Sequence, residues 1–150
     1  MTKRFQFAFL LQRAVDQRNE AALAIGAAVE RLRQARDRHG QIEQYRAEYR
    51  VRLETNGRQG MAIHQWTDYQ LFLTKLNTAV DQQFHEIRRC ENLLEQAKAV
   101  WMEREKEVKA FETLQERHEE REQKRESRIE QKMSDEWAAN LHRQRRSNES

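Results

Sequence analysis

The 150-residue sequence has no proline and four glycines, is 37% hydrophobic and 35% charged, and carries a net charge of +3. So hydrophilic a chain cannot enclose a large globular core, and no apolar stretch approaches the ~20 residues that a membrane-spanning helix needs. Long, thin helices suit this balance, because a two-helix seam requires only about two apolar positions in seven. Disorder shares the high charge, but the near-balanced charges and periodic apolar residues argue against it.

At the N-terminus, Met1 to Arg4 is positive and Phe5 to Leu11 is mostly apolar, but Gln12 and Arg13 end the run too soon for a signal peptide. From Phe9 to Leu53 a helical pattern follows, with Ile25, Ala28, Leu32, Ala35, His39, Ile42, Tyr45 and Tyr49 at steps of three and four. Ala21, Ala22, Ala24, Ala27 and Ala28 surround Gly26, so a second backbone is expected to approach closely there. Gly26 and Gly40 each weaken a helix by about 1 kcal/mol relative to alanine, yet neither has a turn cluster beside it, and the helix is read through both.

The break falls at Glu54 to Gly60, where Asn56 and Gly57 tolerate the left-handed conformation that ends helices and Gly60 adds a second flexible point. Thr67 with Gln70 has the spacing of a capping box. The stretch that organises the chain comes next: Trp66, Tyr69, Leu73, Leu76, Val80, Gln83, Ile87, Cys90, Leu94, Ala97, Trp101, Arg104, Val108, Phe111, Gln115 and His118. Twelve of these sixteen positions are apolar or aromatic, at the 3.5-residue period of a coiled-coil seam. Cys90 lies on the seam as a small apolar filler, and a single cysteine fits a reducing compartment.

The expected fold is all-α, a long antiparallel two-helix coiled coil, or helical hairpin, occupying residues 1–150 as one unit. Helix 1 covers about 4–54, the turn about 55–62, helix 2 about 63–143, and residues 144–150 form a frayed tail. With the turn centred near residue 58, residue i faces roughly residue 117 minus i, and at 1.5 Å per residue helix 2, at about 120 Å, outruns helix 1, at about 75 to 80 Å. The overhang, Glu116 to Lys132, alternates Arg and Lys with Glu at ion-pair spacing. Ile129, Met133, Trp137 and Leu141 then form a short apolar stripe, either covered by a longer helix 1 or left as a docking surface.

No catalytic constellation is present in the pattern. His85-Glu86 is followed by Arg89, and His118-Glu119 by Glu122, so neither completes a two-histidine zinc motif; there is no phosphate loop or nucleophile elbow, and no metal or cofactor is expected. A sequence pI near 9.2 raises nucleic-acid binding, but residues 116–150 hold nine basic and nine acidic residues, leaving no charged stripe to follow phosphates. Beside the seam, Phe72, Leu76, Ala79 and Gln83 recur at steps of four, three and four, with Leu71 and Phe84 nearby. Phe72 and Ala79 widen the stripe, either as extra packing against helix 1 or as a patch for a partner.

The run Tyr45-Arg46-Ala47-Glu48-Tyr49-Arg50, the glycine-containing turn, Trp66-Thr67-Asp68-Tyr69-Gln70-Leu71-Phe72-Leu73, Leu114-Gln115-Glu116-Arg117 and Gln131-Lys132-Met133-Ser134-Asp135-Glu136 together resemble the FliJ family of bacterial flagellar export proteins. The resemblance covers nearly the whole chain. It implies a fold similar to the central stalk of rotary ATPases, and a non-enzymatic role in flagellar protein export, hence in motility and chemotaxis. It implies that the paired termini enter the export ATPase ring, that ring assembly is promoted, that the ring is linked to the membrane export gate and that export chaperones are escorted. The gate-contacting face of the family falls on Phe72, Leu76 and Ala79, with Gln83 where the family carries histidine, so any role for a protonatable ring passes from that position. The implied setting is cytoplasmic and peripheral to the inner-membrane export apparatus, as a monomeric hairpin without membrane insertion or nucleic acid. A stalk of an injectisome and a generic coiled-coil adaptor are the alternatives to this reading.

Overall fold

The computed structural model describes residues 5–149, which form two helices, α1 (Ala8–Gln59) and α2 (Ile63–Glu149), joined by Gly60, Met61 and Ala62. The fold is all-α, two long helices packed antiparallel, with no strand among the described residues. Fifteen of the sixteen expected seam positions of α2 are buried or half-buried, and only Trp66 is exposed. Periodicity of this kind is sufficient to predict burial because each helix has one partner and one contact face.

The matching seam of α1 is a strict heptad: Leu11, Ala14, Arg18, Ala21, Ile25, Ala28, Leu32, Ala35, His39, Ile42, Arg46, Tyr49, Leu53 and Asn56, all buried or half-buried. Arg46 therefore takes the seam position that the sequence reading gives to Tyr45, which is 46% exposed. Every seventh residue from Ala14 to Ala35 is a buried alanine. In register these four alanines stand opposite Val108, Trp101, Leu94 and Ile87, so small residues on α1 face larger ones on α2. The expected close approach at Gly26 is not found, because a Cβ at Gly26 would meet open space; the approach runs along the seam alanines.

The ends of the hairpin differ from expectation, and so does the point where α1 gives way to the turn. The proposed helix start near residue 4 lies outside the described residues, and α1 begins at Ala8, whose N–H donates to the Phe5 carbonyl at 3.2 Å. α1 continues through Asn56 and Gly57 because both face α2: Asn56 Nδ2 donates to the Tyr69 hydroxyl at 3.1 Å, and the Trp66 ring lies 3.7 Å from where a Gly57 Cβ would be. The left-handed residue is Gly60, at φ 92°. Thr67 caps nothing; it sits inside α2 and donates to the Ile63 carbonyl at 3.0 Å. The expected frayed tail is helical to Glu149, with Arg146 in the last turn opposing the helix dipole.

Moving the turn centre to residue 61 shifts the register by about five residues, so that residue i stands opposite about residue 122 minus i. Cross-helix contacts flank that diagonal: Gln83 Nε2 donates to the Ala35 carbonyl at 3.0 Å, Arg46 to Asn77 at 3.2 Å, and Arg36 pairs with Glu91 at 3.6 Å.

Packing divides the chain into two compact units, Asn19–Glu103 and Met1–Arg18 with Arg104–Ser150. The first holds the turn and the core of Leu32, Ala35, Ile87 and Cys90, with Leu94 packed against it. Cys90 is a filler of this core, 4% exposed, and burial, followed by the nearby Glu86 carboxylate, raises its thiol above the ordinary 9.0. In the second unit Val108 is fully buried, Ala14 is buried, and the Phe5 ring lies 5.6 Å from His118. Its first seam layer is polar. Arg18 and Arg104 are in register, and they divert to Glu105 at 3.2 Å and to Gln17 at 3.4 Å respectively. Further along the apolar stripe, Ile129, Met133 and Trp137 are 50, 64 and 68% exposed, and Leu141 is half-buried. No described helix is long and apolar enough to cross a membrane.

Candidate docking surface near the turn

Phe72, Leu76 and Ala79 come together on α2 but are not equivalent. Leu76 is a seam residue, 9% exposed, and supports the face from beneath. Phe72 and Ala79 lie one heptad apart on the same flank, both half-buried, so each presents part of its side chain to solvent. Gln83 is half-buried and committed by its hydrogen bond to the Ala35 carbonyl, which leaves it a structural bridge between the helices; His85 is exposed.

α1 completes this surface. The Phe72 ring lies 4.7 Å from Tyr49 and 6.3 Å, edge-on, from Tyr45, and Tyr49 is 5.2 Å from Tyr69. Such tilted and edge-on ring pairs gain more than area burial alone. Burial holds the Tyr49 hydroxyl above its ordinary 10.0, with Tyr69, Tyr45 and Asp68 adding to the effect. The sequence reading places Tyr45 and Tyr49 on helix 1 without connecting them to Phe72, although the register of 117 minus i already sets residue 45 opposite residue 72; the observed register brings Tyr49 there as well. Phe84 does not extend the surface. It falls on the opposite flank of α2, where the Arg88 guanidinium covers it at 4.6 Å and His39 lies at 6.2 Å.

Beside Phe72, between the end of α1 and the start of α2, lies a cleft of about 600 Å³ walled by Tyr49, Tyr69 and Phe72, with Asp68, Asn56 and Gln65 among its polar residues. It opens to solvent at the helix junction. No group of three or more His, Cys, Asp or Glu suited to a metal occurs among the described residues.

A paired heptad seam, a tight turn and a half-exposed aromatic face beside it define a two-helix coiled-coil protein whose surfaces suit protein contact. Comparison specifies which. The family described as Flagellar FliJ protein matches residues 2–147. The Flagellar FliJ protein of Salmonella typhi is 30% identical over 129 residues, 86% of each chain, and that of Escherichia coli strain K12 is 28% identical over 138 residues, 92% of this chain and 94% of its own. The chain belongs to the FliJ family.

Proposed function

We propose that the protein is a non-enzymatic coupling component of bacterial flagellar protein export. It links the export ATPase ring to the cytoplasmic domain of the membrane export gate, promotes assembly of the ring and escorts export chaperones, working in the cytoplasm at the periphery of the inner-membrane apparatus. The observation that carries the flagellar reading is the family match over residues 2–147. For the gate contact the support is geometric: Phe72 and Ala79 offer a half-exposed apolar face, backed by Leu76 and flanked by Tyr45 and Tyr49. The uncovered stripe of Ile129, Met133 and Trp137 in the other unit supports a second contact, to the ATPase ring.

On this reading the protein works by differential binding. Any stimulation of ATP hydrolysis comes from favouring one arrangement of ring subunits over another, and the proton and nucleotide steps belong to the partners. The test is swimming in soft agar and filament-protein export by a strain of the source bacterium lacking this gene. Restoration by wild type, but not by Phe72→Asp, is expected; unimpaired export in the deletion strain, with no second family member present, refutes the assignment.

A further inference from the structure

We propose that the cleft beside Phe72 receives an arginine side chain of a partner protein. At about 600 Å³ it lies within the range of ligand pockets and is large enough for one long side chain with its flanking backbone. Three aromatic residues within 4.7 to 5.2 Å of their nearest neighbour, Tyr49, Tyr69 and Phe72, supply π surface. Asp68 is the one lining residue with an ionisable acid or base, tyrosines aside, and it is exposed at the rim. Asn56 donates its amide N–H to Tyr69, so its carbonyl oxygen remains an acceptor, and the Gln65 amide provides another.

These features select among ligands. A carboxylate would meet Asp68 and the negative faces of the rings. An aliphatic side chain would cover Asp68 and the amides without pairing them, at a cost in desolvation. A guanidinium satisfies all of them: its plane stacks on a tyrosine face while its edge donates to the Asp68 carboxylate and an amide oxygen. Lysine can reach the carboxylate but lacks the planar fork. The dipoles of the α1 C-terminus and α2 N-terminus meet here and offset each other, so the preference for a cation rests on Asp68 and the rings. The chain already uses this chemistry elsewhere, where the Arg88 guanidinium sits 4.6 Å above Phe84.

The cleft adjoins the surface assigned to the export gate, but the assignment does not depend on that partner, and the experiment uses synthetic peptides instead. The isotopically labelled full chain is titrated, by NMR, with N-acetylated, C-amidated alanine pentapeptides bearing arginine, lysine, norleucine or glutamate at the centre. Saturable shifts confined to Tyr49, Asn56, Asp68, Tyr69 and Phe72 are expected with arginine, weakened roughly ten-fold or more by norleucine or by Asp68→Asn. Gln65→Glu, which adds a second carboxylate at the rim, is expected to tighten arginine binding several-fold. Equal binding of the norleucine or lysine peptide, an unchanged affinity in Asp68→Asn, or the absence of any saturable shift at millimolar arginine peptide overturns the proposal.

Discussion

Gly26 and Gly40 lie inside α1, both exposed, and a Cβ at either would touch nothing within 4 Å. Replacing each by alanine therefore changes no contact and acts only through backbone freedom, which favours the helix by ~0.8–1 kcal/mol per site. The sites are far apart on one continuous helix, so the double variant is expected to gain about 2 kcal/mol by additivity. For a chain of this size that raises the thermal midpoint by roughly 4–8 °C. Gly60→Ala provides the opposite sign, because Gly60 is left-handed at φ 92° and an alanine there is strained by about 1–2 kcal/mol. Thermal unfolding followed by circular dichroism reads all three. If Gly26→Ala or Gly40→Ala lowered the midpoint, the glycine would be serving a bend or a close contact and the continuity of α1 would be refuted. A neutral Gly60→Ala would mean that the reversal lies elsewhere.

Phe72→Leu and Phe72→Asp separate binding from packing: Phe72→Asp is expected to lose affinity for the gate's cytoplasmic domain, with Phe72→Leu intermediate, while helix content at room temperature stays at the wild-type level because Phe72 is only half-buried. Loss of helix content together with binding would make Phe72 a core residue. Arg104→Leu removes a polar seam position beside Arg18 and is expected to stabilise the chain by ~1 kcal/mol in urea titrations, whereas a clear loss would mean that the contacts of Arg104 with Gln17 and Glu107 hold the layer together. Cys90 is buried with its thiol raised, so it should react slowly with a disulfide reagent until the helices separate on warming. Because its folded value lies above the unfolded one, its contribution to stability is complete below the ordinary 9.0 and declines as pH rises past it; a midpoint more alkali-sensitive in Cys90→Ala than in wild type contradicts this.

The α2 seam was legible in the sequence because a two-helix fold leaves one contact face per helix, and burial then follows period alone. The α1 seam was partly legible: the expected positions hold from Ile25 to Ile42, but the pattern drifts to Tyr45 because tyrosine is more apolar than Arg46, whose head bonds Asn77. Asn56 and Gly57 carry a strong local preference for ending helices, which sets the expected end of helix 1 too early. Contacts to Tyr69 and Trp66 outweigh it, and those contacts are made between residues ten or so apart in sequence, beyond any local signal. The register shift of about five residues moves the residue opposite Tyr49 from 68 to 73, next to Phe72, whereas the meeting of Tyr45 with Phe72 follows from the expected register too. Phe84 shows the same limit from the other side, since proximity to Phe72 along the chain placed it on the wrong flank.

The central claim is physical coupling between ATPase and gate, and a bridging assay tests it most directly. Purified export ATPase is immobilised, the gate's cytoplasmic domain is passed over it, and retention is measured with and without this protein. The account predicts retention only when the wild-type protein is present, and its loss with Phe72→Asp while that variant still binds the ATPase. Retention that is independent of the protein, or undiminished with Phe72→Asp, would contradict it.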